Sequence, residues 1–307
     1  MEKQKRIKWY LAIISVVIIW SVSWSIYKVA LNYTPPLLFG GMRTLLGGVI
    51  LALILLPQWR KIQWQKYWYV YVIVALFNTI IFIGLKSVGL QYLPSGLFSV
   101  IVYIQPVLVV LLARIWLRES VSPLKAVGLI IGFLGVATVS IHGISGNISL
   151  TGILLALFSA SGWAIGVVYT KKTSAYVHNL WLVALQFIIG GLFLTSAGII
   201  TENFSAIVWN PIYIASLFYG GIFGGVCATA LYFKLMSSSE ASRVGSFIFL
   251  VPLLAVVFGC LFLNEPVNIS LFGGMALIIL SIYLINKKGV SKPKTATASP
   301  APLNDNS

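Results

Sequence analysis

The side chains able to do acid–base or metal chemistry are few and scattered. The six acidic residues are Glu2, Glu119, Glu202, Glu240, Glu265 and Asp305, the two histidines are His142 and His178, and the two cysteines are Cys227 and Cys260. Catalysis needs a nucleophile beside a base, paired carboxylates or clustered metal ligands, and no such grouping is present. No catalytic residue, metal site or cofactor is therefore expected. What stands out is polar chemistry set within long apolar runs. Arg43 interrupts one such run, with Gln186 in another and Asn78, Tyr103 and Gln105 between them. An arginine fork can hold a carboxylate or phosphate through paired hydrogen bonds. It can equally snorkel outward or bond helix-end carbonyls. Around it stand Trp20, Trp24, Tyr27 and Lys28, spaced i, i+4, i+7, i+8 on one helix face, and Trp163 with Ser159, Gly162, Gly166 and Thr170 on another. Polar groups at such depth need a helix partner or a wet cavity. An apolar pocket with a few convergent polar groups is a small-molecule site. The candidate substrate-contacting residues are Trp20, Trp24, Arg43, Asn78, Tyr103, Gln105, Trp163 and Gln186.

The elements that must position these residues follow from composition. Of 307 residues, 59% are hydrophobic and only 9% charged, where a soluble domain is about a quarter charged. Mean hydropathy is +0.97. A soluble globule and a disordered chain are both excluded. Runs long enough to cross a bilayer core of roughly 30 Å fall at about 9–31, 36–56, 67–88, 94–117, 123–141, 150–170, 179–200, 211–235, 241–263 and 267–286. Breaks at Pro35-Pro36, Pro57, Pro94, Ser122-Pro123, Gly143 to Asn147 and Asn210-Pro211 separate them. The expectation is an all-α integral membrane protein of ten spanning helices. The first span is too long, and lacks the cleavage site, for a signal peptide. Cys227 and Cys260 fall within spans and are expected to be buried, unreactive thiols.

The formal charge of +15 suggests nucleic acid at first sight, but basic residues flanking apolar spans account for it. If the N-terminus is cytoplasmic, 18 of the 21 Lys and Arg residues gather on the cytoplasmic side. Only Lys28, Arg43 and Lys86 fall inside spans or at their outer ends. Both termini are then cytoplasmic, in a multi-pass protein of the cell membrane. Lys28 and Lys86 near one mouth, with Lys171 and Lys234 near the other, read as snorkelling anchors, or as attractors of anionic or zwitterionic solutes. No nucleic acid is expected; the partners are a small-molecule substrate, membrane lipids and, as a compatible assembly, a second copy of the chain.

The chain also repeats itself. Arg43 to Leu51 aligns with Gln186 to Leu194 at an offset of 143, which pairs Trp20 with Trp163 and Lys28 with Lys171. An offset of 146 pairs Pro106 with Pro252, Leu117 with Leu263, Glu119 with Glu265 and Gly128 with Gly274. Five spans per half is an odd number, so the second half is expected to enter the membrane inverted, an arrangement typical of transporters. The units are a basic cytoplasmic N-terminus at 1–8, a first repeat at 9–141, a second at 150–286 and a disordered cytoplasmic tail at 287–307.

A tryptophan in the first helix of each repeat, with Pro106…Leu117-Arg-Glu119 and Pro252…Leu263-Asn-Glu265 closing the fourth, resembles the drug/metabolite transporter superfamily, EamA type, over about residues 8–288. The resemblance implies a ten-helix permease of small metabolites, often amino acids and often exported, with a cavity between the repeats. The first span lacks the glutamate of the small multidrug relatives, which argues against drug-cation export. No carboxylate falls mid-span, so carboxylate-based proton coupling is not expected. Pro106 and Pro252 occupy matching positions and are candidate hinges. Gly47-Gly48, Gly190-Gly191, Gly128 and Gly132 read as helix-packing surfaces. Glu119 and Glu265 read as stabilisers of the helix starts that follow them. A passive channel is the alternative mode of transport.

Overall fold

A computed structural model describes residues 2–93, 95–140, 149–263 and 269–287. The loop around His142 and Gly143 to Asn147, the segment holding Glu265, and the tail beyond Lys287 lie outside the described residues, as does Pro94.

Every regular element among the described residues is helical. In chain order these are α1 (Glu2–Ala30), α2 (Pro36–Leu55, continued by a 3-10 segment Leu56–Ile62), α3 (Trp64–Gly89), α4 in two pieces (Ser95–Val102 and Gln105–Leu117) and α5 (Pro123–Val139). They are followed by α6 (Leu150–Thr173), α7 (Asn179–Thr201), α8 (Pro211–Ser238), α9 in two pieces (Ala241–Ile248 and Leu250–Leu263) and α10 (Ile269–Asn286). Nine of these are long and apolar enough to cross a membrane; α5, at 17 residues, is the short one. Large apolar side chains such as Ile115, Ile200 and Leu261 are exposed, as lipid-facing positions require.

The helix starts are written locally. Pro36, Pro123 and Pro211 open α2, α5 and α8, where a missing N–H costs nothing. Ser122 accepts from the Lys125 amide at 3.3 Å and Asn210 from the Tyr213 amide at 2.8 Å, satisfying helix donors that would otherwise be orphaned. Two starts differ from expectation. α1 reaches back to Glu2, and α3 begins at Trp64, directly after Gln63 turns the chain in the left-handed region (φ 46°).

Matching irregularities recur in the two halves. α3 carries a π segment at Ala75–Gly84 and α8 one at Ile222–Cys227. α4 breaks just before Pro106 and α9 just before Pro252, so both prolines sit in the first turn of a new helical piece. The broadest helix pairings are α2 with α7 and α5 with α10. In the first, a β-carbon at Gly48 would stand 2.8 Å from the Ile188 nitrogen and one at Gly191 would stand 2.5 Å from the Leu45 nitrogen. These are the same contact made twice with the halves exchanged. Only glycine lets the backbones approach so closely, which is how helices associate without a hydrophobic drive between them.

Two expectations are corrected here. Cys227 is exposed and Cys260 is half-buried, where both were expected to be buried. Glu119 does not serve the helix that follows it, because Ser122 already does. Its carboxylate instead accepts from the Ala241 amide at 2.9 Å, stabilising the start of α9, and pairs with Lys171 at 2.5 Å.

Candidate functional site

Where the helices converge at mid-bundle, they leave a cavity of about 100 Å³. It draws on both halves: Trp20, Ser23, Trp24 and Tyr27 of α1, Arg43 of α2, Asn78, Phe82 and Lys86 of α3, Tyr103 and Gln105 of α4, Trp163 of α6, Phe187 of α7 and Thr229 of α8. Seven of the eight sequence-predicted residues line it. Gln186 does not; it is fully buried behind the wall and accepts a hydrogen bond from the Asn78 amide at 3.4 Å.

The aromatic wall is a connected group. Trp163 lies 4.7 Å from Phe82, 5.8 Å from Tyr232 and 5.9 Å from Trp20, measured between ring centroids. Each polar handle is used, as buried Trp and Tyr groups require. The Trp20 indole donates to the Gly224 carbonyl at 3.1 Å, where the π segment of α8 turns a carbonyl aside. The Trp24 indole donates to the Tyr103 hydroxyl at 3.1 Å.

The charged groups face the same space. The Arg43 guanidinium stands 4.5 Å from the Tyr27 ring centroid and donates to the Tyr27 hydroxyl at 3.4 Å. Of the two sequence readings of Arg43, the cavity-facing one describes its position. Lys86 carried two readings, a snorkelling anchor or an attractor of anionic or zwitterionic solutes; its side-chain nitrogen lies 3.8 Å from the Trp24 ring centroid and lines the cavity, which is not an anchor's position. The π segment Ala75–Gly84 immediately before it changes the facing of the last turns of α3. Sequence reasoning also passed over Ser23 and Thr229. Ser23 lies three residues past Trp20, one helical turn on the same face, which was a usable signal; Thr229 gave none.

Three carboxylates are engaged at helix ends: Glu119 with Lys171 and the Ala241 amide, Glu202 with the Leu37 and Leu38 amides, and Glu240 with Lys125. Arg43 and Lys86 therefore have no carboxylate partner among the described residues. The side-chain oxygens of Asn78 and Gln105 are buried and accept no protein hydrogen bond there.

An all-helical bundle of membrane-spanning length, built around an aromatic cavity lined by Arg43 and Lys86, defines a multi-pass membrane protein. The model of the EamA-like transporter family matches residues 7–141 and again 150–287, so the chain belongs to that family. It is similar to the uncharacterized transporter YvbV of Bacillus subtilis (strain 168), with 45% identity over 97% of each chain. It is also 26% identical to a probable amino-acid metabolite efflux pump of Salmonella typhimurium, over 92% of this chain and 96% of that one. A solved crystal structure, 17% identical, shares the fold with a TM-score of 0.79, covering 91% of this chain and 96% of that chain. The chain is thus a multi-pass transporter-family protein, and its bacterial relatives assign it to the cell membrane.

Proposed function

We propose that this protein moves small amphipathic metabolites bearing an anionic group, amino acids and organic acids among them, across the cell membrane, with export as the physiological direction. Trp20, Trp24, Arg43, Asn78, Tyr103, Gln105 and Trp163 contact the solute, and Gln186 holds Asn78 in place. The observation that carries this reading is the cavity itself: an aromatic wall contributed by both family-matched segments, with Arg43 and Lys86 facing into it. The efflux-pump relative supports the direction and the solute class.

Transport proceeds by alternating access. The two five-helix halves, inverted relative to each other with both termini cytoplasmic, rock about the cavity, and Pro106 and Pro252 mark the flexing points. The paired helix breaks, the paired π segments and the reciprocal Gly48 and Gly191 contacts support two equivalent halves. The basic bias of one side supports the orientation.

Counterflow in proteoliposomes tests this. Internal solute should accelerate uptake of labelled solute, with saturation, and Arg43→Gln should abolish it at equal protein content. Unsaturable flux without trans-stimulation would make the protein a channel.

A further inference from the structure

Resting on that reading of the cavity, we infer that the site selects its cargo by charge. The head group it prefers is a carboxylate with no ammonium beside it, so within that solute class the anion of a compact hydrophobic or aromatic acid is favoured over a zwitterionic amino acid.

Three observations converge. The Arg43 guanidinium and the Lys86 amine line one small cavity, and Glu119, Glu202 and Glu240 are each engaged elsewhere at a helix end. Nothing acidic among the described residues answers an incoming ammonium. The rings best placed to receive a cation are already covered. Lys86 stands over Trp24, and Arg43 lies over Tyr27 and within 5.9 Å of Phe39. The deeper rings, Trp20, Trp163, Phe82 and Tyr232, pack against one another and present an apolar wall.

An α-amino acid carries its ammonium on the carbon next to its carboxylate. Bringing that carboxylate to Arg43 therefore brings the ammonium toward the same guanidinium, in surroundings that screen charge poorly. Removing the amine relieves the repulsion and leaves the attraction.

The test uses the purified full-length protein and two matched series: 4-methylpentanoate, leucine and 3-methylbutylamine, then 3-phenylpropionate, phenylalanine and phenethylamine. Binding is read by thermal stabilisation, and flux in proteoliposomes with an imposed membrane potential. In each series the acid should bind at least tenfold more tightly than the amino acid, and the amine not at all. Uptake of the acid should be faster when the lumen is positive. Lys86→Met and Arg43→Gln should each weaken acid binding at least tenfold, and Arg43→Lys should restore part of it. Amino acid binding as tight as acid binding, or any amine binding, overturns charge selection while leaving the transport reading intact. Acid binding without flux upholds charge selection and overturns transport. If no member of either series binds, the inference is overturned.

Discussion

Trp20 and Trp163 meet edge to face with their ring centroids 5.9 Å apart, and they are the residues that the 143-residue offset pairs with each other. A side chain in contact with its own counterpart lies where the two halves meet. The cavity is built around that contact, so a change at either ring acts on the same point. Trp163→Phe keeps a ring and removes the indole's second lobe. It should lower solute affinity about three- to tenfold, a loss of roughly 0.5–1.5 kcal/mol, the scale of an aromatic pair. Trp20→Phe should cost more, since it also leaves the Gly224 carbonyl without its donor. The double variant should lose less than the sum of the two, because the residues touch. Strict additivity in a binding titration would mean that the two rings contact the solute independently.

Much of this was legible in the sequence, for identifiable reasons. Arg43 is conspicuous because a charge within an apolar run is costly unless a cavity receives it. Trp20 and Trp163 were found by the offset, and the membrane helices by proline and capping residues at Pro36, Ser122-Pro123 and Asn210-Pro211. Lys86 was misread because it lies three residues before the end of α3, where an anchoring lysine would also lie. The π segment that redirects it leaves no mark in composition. An inserted residue turns everything after it by about 100°, so α-helical spacing counted from Asn78 gives the wrong facing. The partners of Glu119 were illegible for another reason. Lys171 and Ala241 are remote in sequence, and only the folded bundle brings them to it.

The α2–α7 contact should be intolerant of the smallest side chain. Gly48→Ala places a methyl 2.8 Å from the Ile188 nitrogen and 2.9 Å from the Ala184 carbonyl oxygen. Backbone atoms cannot step aside as a rotamer can, so the helices must part. A loss of about 1–3 kcal/mol, the usual cost of overpacking, should appear as a lowered Tm and reduced monodisperse yield. Gly273→Ala is the control, since its nearest neighbour would be 3.7 Å away. Equal effects at both positions would show that helix propensity, and not close approach, sets the outcome.

Outside the membrane-spanning helices, His178 precedes α7 and is half-buried. Burial, and then the Lys61 ammonium, hold its imidazole below the usual histidine range. The folded state therefore takes up this proton less readily than the unfolded chain does. Its contribution to stability is complete above the unperturbed value of about 6.5 and is lost as pH falls through the lower folded-state value. Thermal unfolding in detergent should show Tm falling more steeply between pH 7 and 5 for the parent than for His178→Gln. Parallel slopes would assign the acid sensitivity to other groups.

At one end of the bundle, the end bearing the N-terminus of α1, polar contacts join the two halves. Glu119 pairs with Lys171 at 2.5 Å and accepts from the Ala241 amide, the Trp9 indole donates to the Ser239 hydroxyl at 2.7 Å, and Lys125 pairs with Glu240. Any motion that opens the cavity at this end must break them. The Glu119–Lys171 pair is mostly screened from solvent, at 18% and 13% exposure, so removing one member leaves a poorly solvated charge. Glu119→Gln retains an acceptor for the Ala241 amide and deletes the ion pair. It should lower stability by about 1–3 kcal/mol and raise the population open at this end. A Thr229→Cys reporter in the cavity, with Cys227 and Cys260 replaced by serine, reads that population through an impermeant thiol reagent applied from this face. Labelling should quicken at least fivefold in Glu119→Gln. Adding Lys171→Met should recover part of the lost stability, because the stranded charge is gone, while labelling stays fast. A lowered Tm with unchanged labelling would make the contact a brace of the folded bundle, with no part in gating.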